Sequence, residues 1–484
     1  MFELWQTISP YALWLYYAII FFVVGSLLLE NKNPLKTTSY LLLVLLLPII
    51  GIIIYFIFGQ NLRKRRIFSK RQLINTAFGQ QYVDEHLNSE YKKELPDISN
   101  IQYYTKLVRF LNKDLSPLSH SNEVTILKNG EEKFPRLMEA LEAATSHIHI
   151  EYYIYSDDET GRTLSDLLIK KAGEGVEVRL ILDAVGSFSL KRSFYSKLRT
   201  AGVQIHEFMP VLFPSLTSKI NYRDHRKIVV IDGKTGFTGG INIDDRYNND
   251  HPQSLFWRDT HLMIEGEAVK TLQLLFILNW QFVCGENWLP TKEYFPDGPE
   301  KNGHFAQINA SGPDWELASI MDSFFLAING ARETIKIATP YFIPNESILN
   351  AIVTAAKSGV QVELMIPYKS DSWIVQSASL SFMTVLLEAG VKVFLYQKGF
   401  LHSKVMLVDG NFATVGTANM DYRSFDLNYE VNTYLYSEEL ATVLDGHFEE
   451  DKTDCIQLNL ARWRNRPLRH KLLASACRIL APLL

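Results

Sequence analysis

Cysteine is scarce in this chain, with three residues in 484: Cys284, Cys455 and Cys477. No two of them have the C-x-x-C spacing of a redox motif or a zinc site, so we expect buried thiols and no disulfide scaffold. His, Cys, Asp and Glu also lack any cluster with the spacing of metal ligands. The sequence therefore predicts a protein that works without a metal ion or another cofactor.

Charged residues are missing from two long stretches near the N-terminus. Residues 12–29 and 39–58 contain no Asp, Glu, Lys or Arg. As helices, each is long enough to cross the roughly 30 Å hydrocarbon core of a bilayer. A secretory signal peptide is not favoured, because the segment before the first stretch has Glu3 and no Lys or Arg. We therefore predict an N-terminal hairpin of two transmembrane helices in residues 1–62.

Basic residues follow the second stretch without an acid among them. Residues 63–71 carry six Lys and Arg, and the positive-inside rule places such a cluster in the cytoplasm. We interpret residues 63–99 as a basic juxtamembrane linker. The part of the chain that follows is then expected on the cytoplasmic side of the membrane.

The middle of the chain is acidic. Residues 72–461 hold 35 Lys and Arg against 51 Asp and Glu. A nucleic-acid surface needs positive charge to neutralise phosphates, so this balance argues against a nucleic-acid partner. Membrane phospholipids are the partner that the two apolar stretches and the basic run favour.

The same acidic region contains an internal repeat. Two segments match at an offset of 177 residues: HRKIVVIDG from His225 and HSKVMLVDG from His402. The match continues without a gap to Arg246 and Arg423, with eight identities in 22 positions. Most of these identities are polar residues or glycine, which shared core packing does not explain.

The repeat extends upstream as alternating helices and strands. The segment AGEGVEVRLI from Ala172 matches AKSGVQVELM from Ala356, and each reads as a helix end, a glycine turn and a strand. This α/β pattern occurs twice, which predicts two homologous halves at residues 100–290 and 291–460. The strand candidates are residues 147–155 and 334–342, and the helix candidates are residues 163–172 and 348–357.

Each copy of the repeat carries His and Lys two residues apart, just ahead of a β-branched run. Residues i and i+2 of a strand point to the same face, so pseudo-symmetry would gather two imidazoles and two ammonium groups around one point. Two lysines can stabilise the charge of a phosphodiester, while one histidine attacks phosphorus and the other protonates the leaving oxygen. The pattern predicts phosphodiester exchange through a phosphohistidine. The four residues are His225, Lys227, His402 and Lys404.

Further polar residues occur in both copies. Asn242 and Asn419 could add amide donors to the phosphate. Asp259 and Glu430 follow the histidines of their halves by 34 and 28 residues, and we predict that they orient the imidazoles through the second ring nitrogen.

Two aspartates complete the matched motifs. Their place in the matched motifs groups Asp232 and Asp409 with the catalytic residues. Their position before Gly233 and Gly410 favours a structural role instead, in which each closes a turn.

The chain resembles the phospholipase D superfamily, because both copies carry its H-x-K-x-x-x-x-D signature. It is also similar to bacterial cardiolipin synthases along nearly its whole length, from the N-terminal stretches through IEYYI at Ile150, WRD at Trp257 and TPYF at Thr339 to the tail. The resemblance implies two phospholipase D-like α/β halves that form one pseudo-symmetric active site, preceded by two transmembrane helices. It also favours His225 as the nucleophile, which the residues alone leave open.

The resemblance implies a reaction as well. Two phosphatidylglycerol molecules would become cardiolipin and glycerol without a nucleotide or a metal ion. The alternative is a phospholipase D that uses water, or another phosphatidyltransferase acting on membrane phospholipids. The acidic middle disfavours a nuclease, and two intact motifs disfavour an inactive scaffold.

The chain ends in a basic tail, residues 461–484. It carries six Lys and Arg and no acid, and apolar residues recur at spacings of three and four after Pro467. We predict a basic amphipathic helix that either lies on the membrane or docks on the protein's own body. The apolar stripe consists of Leu468, Leu472, Ala476, Ile479 and Leu480.

Overall fold

The computed structural model describes most of the chain beyond residue 102 and two short helical stretches before it. The predicted linker at 63–99 lies outside the described residues. Contacts between Cα atoms divide the chain into two compact units, residues 1–72 with 211–221 and residues 73–210 with 222–484. The described residues are 14, 17–29, 34–47, 51–52, 103–114, 116–211, 221–251, 255–285, 291–296, 303–314, 319–479 and 481.

The first unit contains two apolar helices in its described part, α1 at residues 17–29 and α2 at Pro34–Leu46. Large side chains on them face outward, such as Leu29 at 89% exposure. Within the described residues, neither helix reaches the length and apolar content that crossing a bilayer requires. Both predicted spans extend past the described residues. The small buried core of this unit consists of Val23, Leu27 and Val44.

The second unit is built on one continuous sheet. Over the described residues it has fifteen strands: two series of seven in the same order, and one extra edge strand, β19 (Cys455–Gln457). The first series runs β4 (Gln204–Phe208), β3 (Glu177–Asp183), β2 (His147–Tyr152), β5 (Lys227–Ile231), β6 (Thr235–Gly239), β8 (Thr260–Gly266) and β1 (Ser119–Lys128). The second runs β13 (Lys392–Tyr396), β12 (Gln361–Pro367), β10 (Thr334–Ala338), β15 (Val405–Val408), β16 (Phe412–Gly416), β18 (Glu430–Tyr436) and β9 (His304–Ser311).

The two series are joined at two levels. In the sheet, β1 pairs antiparallel with β9, with Ser119 opposite Ala306. Outside it, the short strand β7 (Trp257–Arg258) pairs in parallel with β14 (Phe400–Leu401). A second two-stranded pair outside the main sheet joins β11 (Phe342–Ile343) with β17 (Met420–Asp421), both from the second half of the chain. The β7–β14 pair matters most for the site, because it lies directly before His402.

Helices pack on the sheet and bury its apolar strands in three clusters. Predicted helices and strands from the repeat are present in both series. The helices of the second unit are α3 (Thr105–Asn112), α4 (Asn129–Glu142), α5 (Glu159–Gly173), α6 (Arg192–Thr200), α7 (Ala268–Cys284), α8 (Ser319–Gly330), α9 (Glu346–Lys357), α10 (Trp373–Ser381), α11 (Met383–Glu388), α12 (Tyr422–Asp426), α13 (Glu438–Thr453), α14 (Leu460–Arg464) and α15 (Leu468–Ile479).

The matched helices α5 and α9 begin and end by the same local chemistry. Asp158 caps α5 by accepting a hydrogen bond from the amide of Gly161, and Asn345 caps α9 in the same way. Each helix is followed by a glycine at positive φ, Gly175 at 91° and Gly359 at 100°. Only glycine adopts this backbone without strain, so the repeated glycines turn the chain into the next strand.

Asp232 and Asp409 occupy matching tight turns, with φ of 52° and 51°. The Asp232 carboxylate accepts the backbone amides of residues 145–147 at 2.8–3.0 Å, and Asp409 accepts those of residues 332–334. Each aspartate lies seven positions after the histidine of its motif, a distance of roughly 20 Å in nearly extended chain. Both carboxylates fasten turns at the far ends of the strands, which favours the structural role over a place among the catalytic residues.

The tail helix α15 docks on α10. Its buried residues are small, Ala474 and Cys477, each 5% exposed, and the indole of Trp463 donates a hydrogen bond to Thr384 at 3.2 Å. Docking was one of the two predicted alternatives, but the predicted apolar stripe does not form the docked face. Its members Leu468, Leu472 and Ile479 are exposed by 69%, 61% and 80%, and Leu480 lies outside the described residues.

We expect Asp232→Ala to lower the free energy of unfolding by about 1–3 kcal/mol, because three backbone amides lose a charged acceptor. Chemical denaturation of the full chain in neutral detergent, followed by circular dichroism, measures this loss. Asp250→Ala removes an exposed carboxylate and should change the stability by less than about 0.5 kcal/mol. Equal stability of the two variants would contradict the turn-fastening role.

Candidate active site

The four motif residues lie at or just before the N-terminal ends of two matching strands. His225 and Lys227 lie at the start of β5, and His402 and Lys404 lie directly before β15. The two lysines are buried, and the side chains of His225 and His402 keep 12% and 9% of their surface exposed.

His225 is held by the second half of the chain. Its backbone amide donates to the carbonyl of Tyr429 at 2.9 Å, and its Nδ1 lies 2.9 Å from Oε2 of Glu430. Tyr429 and Glu430 are consecutive residues at the start of β18. One short segment of the second half therefore fixes both the backbone and the ring of the first histidine.

His402 is held by the first half in the same manner. Its amide donates to the carbonyl of Arg258 at 2.7 Å, and its Nδ1 lies 2.6 Å from Oδ2 of Asp259. The predicted orienting carboxylates are thus both beside imidazoles, but each serves the histidine of the opposite half. Sequence spacing had placed each carboxylate after the histidine of its own half.

Each carboxylate has further donors. Glu430 accepts the hydroxyl of Thr417 and the amide of Asn428, and Asp259 accepts the backbone amide of Thr260 at 2.8 Å. Burial alone would raise the pKa of Asp259, but Lys404 and His402 outweigh it and lower that pKa. His225 and Lys227 lower the pKa of the buried Glu430 in the same way. Both groups are therefore anions that hold an imidazole.

The histidines are kept neutral in the empty site. Burial lowers the pKa of His225, and the opposing effect of Glu430 is smaller. Burial and then Lys404 lower the pKa of His402. With Nδ1–H donating to a carboxylate, the Nε2 lone pair of each neutral imidazole is available to a reacting atom.

The lysines are desolvated cations. Burial lowers the pKa of Lys227 to about 7 and that of Lys404 to about 8. Lys404 also lowers the pKa of His225, and Lys227 lowers that of His402. Since each lysine acts on the histidine of the other half, the two pairs form one site. An anion bound there would gain strongly, because it restores the charge balance that burial removed.

Aromatic rings enclose the histidines unequally. The ring of Tyr153 lies edge-on to His225 at 4.9 Å between centroids. His402 has three aromatic neighbours, Trp257, Tyr247 and Phe400, at 5.4–5.8 Å. The imidazole of His402 therefore has more aromatic neighbours than that of His225.

The two predicted phosphate-binding amides also differ. The Asn242 side chain accepts the amide of Ile154 at 3.2 Å and donates to the hydroxyl of Tyr247 at 2.7 Å. Asn242 therefore serves as a structural bridge in this site, and its contact with phosphate stays a prediction. The Asn419 side chain is buried, and its carbonyl oxygen Oδ1 has no hydrogen-bond partner among the described residues.

Sequence reasoning missed the residues that support the carboxylates. Thr417 is the clearest case, because its hydroxyl donates to Glu430. The matched position in the first half is Gly240, where an added Cβ would lie 2.0 Å from Oδ1 of Asp259. Because 14 of the 22 matched positions differ between the two copies, the sequence alone did not single out this one.

Comparison with known proteins places this geometry in a family. Residues 137–270 and 325–452 match the family described as "Cardiolipin synthase, PLD-like domain", and residues 13–60 match "Phospholipase D-nuclease N-terminal".

Curated relatives and solved structures agree with this match. The cardiolipin synthase of Alkalihalophilus pseudofirmus is 43% identical over 96% of this chain and 92% of its own length. Cardiolipin synthase 2 of Bacillus anthracis is 42% identical over 96% and 90%. The crystal structure of phosphatidylserine synthase from Haemophilus influenzae has a TM-score of 0.60 at 16% identity, covering 79% of this chain and 100% of that one, which shows a shared fold. The chain therefore belongs to the cardiolipin synthase family of the phospholipase D superfamily.

Proposed function

We propose that this chain transfers a phosphatidyl group from one phosphatidylglycerol to a second, giving cardiolipin and glycerol. The observation that carries the proposal is the exchange of orienting carboxylates, Glu430 on His225 and Asp259 on His402. It leaves two imidazoles with free Nε2 atoms beside two buried lysines. This arrangement suits two successive displacements at one phosphorus atom.

In the first displacement, Nε2 of His225 attacks the phosphorus of the donor lipid. The bond from phosphorus to the glycerol oxygen breaks, and His402 gives that oxygen its proton. His402 must carry a proton for this step, although its pKa is low in the empty site. The bound phosphodiester offsets the charges of Lys227 and Lys404, which raises the pKa of His402 when it is needed.

In the second displacement, neutral His402 accepts the proton of the incoming glycerol hydroxyl. That oxygen attacks the phosphohistidine, the bond from phosphorus to His225 breaks, and cardiolipin leaves. Lys227, Lys404 and the amide of Asn419 stabilise the non-bridging oxygens in both steps. The choice of His225 as nucleophile follows the resemblance to the family, since the two histidine side chains are almost equally exposed, at 12% and 9%.

The proposal includes a membrane location. Residues 1–62 would form a hairpin with spans at about 12–29 and 39–58, supported by their lack of charge and by the match over residues 13–60. Residues 100–290 and 291–460 would be the two catalytic halves on the cytoplasmic side. An anchored site would meet phosphatidylglycerol without extracting it from the bilayer.

Purified full chain in mixed detergent micelles should convert headgroup-labelled phosphatidylglycerol into free glycerol and cardiolipin, with half of the label in each, because the acceptor's headgroup glycerol stays in cardiolipin as the bridge. Thin-layer chromatography with mass spectrometry measures both products, which should form in equal amounts. Phosphatidic acid as the main product would identify water as the acceptor and would contradict the proposed transfer. A His225→Ala/His402→Ala double variant is the control for contaminating activity.

We expect either single variant, His225→Ala or His402→Ala, to lower kcat at least about 1000-fold, because neither histidine can replace the other. When reactions of phosphorus-labelled donor lipid are stopped with denaturant at alkaline pH, where the P–N bond of phosphohistidine survives, the wild-type protein should yield a labelled phosphohistidine peptide containing His225. Full activity in either variant would refute the mechanism. A labelled peptide containing His402 would reverse the two roles.

The pH dependence of kcat/KM follows from the lysines. Both are charged below their pKa values, so kcat/KM should fall as the pH rises through about 7 for Lys227 and about 8 for Lys404. The lowered histidine pKa values keep the nucleophile neutral on the acid side, so no loss is expected near the ordinary histidine pKa. Lys227→Arg should move the alkaline fall upward toward about 8, the value of Lys404. An unmoved alkaline limb in this variant would contradict the assignment.

A further inference from the structure

A basic groove lies between the tail and the body of the second unit. Its volume is about 350 Å³, and we call it the tail groove. Helices α14 and α15 supply its cations, and α10 and α11 supply its opposite wall. The groove is lined by Arg464, Arg466, Lys471, Arg478, Trp463 and Thr384.

The positive charge of the tail groove is mostly uncompensated. Arg464 pairs with Glu388 at 2.6 Å, but Arg466, Lys471 and Arg478 make no ion pair with any described residue. Like charges brought together repel unless an anion joins them. Three unpaired cations around one groove therefore fit an anionic ligand.

Two of these cations are held in place by aromatic rings. The guanidinium of Arg466 stacks on Trp463 at 4.0 Å, and that of Arg478 lies over Phe382 at 4.4 Å. Such contacts fix the position of a guanidinium without neutralising its charge. The hydrogen-bonding edges of both arginines thus remain available to phosphate oxygens, which guanidinium groups bind well.

An exposed apolar stripe borders the tail groove on the same helix. Lys471 and Ser475 line the groove, and Ile479 continues their row at i+4 spacing. Leu468 and Leu472 lie on the adjacent row, and all three apolar side chains are more than half exposed. The helix therefore presents cations and apolar side chains next to each other, the two features that a phospholipid headgroup and its acyl chains require.

We infer that the tail groove binds the phosphate of an anionic phospholipid, with the lipid's acyl chains on the stripe of Leu468, Leu472 and Ile479. This second lipid site does not depend on the roles of His225 and His402. It would hold the catalytic part of the chain against anionic lipid.

Protection of Lys471 from chemical acylation tests the inference at the groove itself. The full chain in neutral detergent micelles is treated with an amine-reactive ester, and mass spectrometry follows Lys471 and the exposed Lys357 as an internal reference. Dioctanoyl phosphatidylglycerol should slow acylation of Lys471 several-fold, whereas dioctanoyl phosphatidylcholine and inorganic phosphate should not. Because the readout is local, lipid bound at the catalytic site does not contribute.

A matched pair of variants tests the role of the cations. Arg466→Gln/Arg478→Gln removes two groove charges and should weaken the lipid's protection of Lys471 about fivefold for each charge. Arg462→Gln/Arg469→Gln removes two exposed tail charges outside the groove and should change it less than about twofold at physiological salt.

Three outcomes would overturn the inference. One is no protection of Lys471 by phosphatidylglycerol in the wild-type chain, a result that needs no variant to fold. Another is equal protection by inorganic phosphate, which would make the groove a free-phosphate site. The last is an equal loss of Lys471 protection in both variant pairs, which would show that the lipid responds to the overall charge of the tail and not to the groove. None of these results bears on cardiolipin formation, so the two proposals fail separately.

Discussion

The active site depends on the exchange of carboxylates between the two halves. Neither half alone can orient its own imidazole, because Glu430 serves His225 and Asp259 serves His402. Separation would also remove the hydrogen bond between each imidazole and its carboxylate, a loss of about 1.5–3 kcal/mol for each bond to a charged group. The buried ion pair of Arg258 with Asp451, at 2.7 Å, crosses the same boundary. Assembly of the halves and orientation of the catalytic groups are therefore one event.

Pseudo-symmetry in the backbone coexists with asymmetry in the site. Thr417 donates a hydrogen bond to Glu430, while its counterpart Gly240 only leaves room for Asp259. The side chain of Asn242 donates to Tyr247, while Oδ1 of Asn419 has no hydrogen-bond partner among the described residues. Two successive displacements need one histidine as nucleophile and the other as acid and base. Differences of this kind give the two histidines unequal surroundings in which to take those two roles.

The sequence predicts the α/β repeat and the motif residues well, because both are local patterns. Strand alternation, glycine turns and the His-x-Lys spacing can be read within about 20 residues. The exchange of Glu430 and Asp259 could not be read in this way, because it depends on how distant segments pack. Asp232 allowed two interpretations for the same reason. Its motif suggested a catalytic role and its turn a structural role. The hydrogen bonds to residues 145–147, which favour the structural role, are contacts with a distant segment of the chain.

The tail shows a further limit of periodicity. The apolar spacing after Pro467 predicted a helix with an apolar stripe. The helix is present, but the residues that it buries are the small Ala474 and Cys477, which do not belong to that stripe. Small side chains let α15 approach α10 closely, so backbone proximity rather than side-chain size selects the docked face. The larger residues Leu468 and Leu472 are left in contact with solvent, where each loses the stabilisation of burial, about 1.5–3 kcal/mol. A helix that docks by one face and exposes leucines on another is suited to hold the body and a lipid surface at the same time.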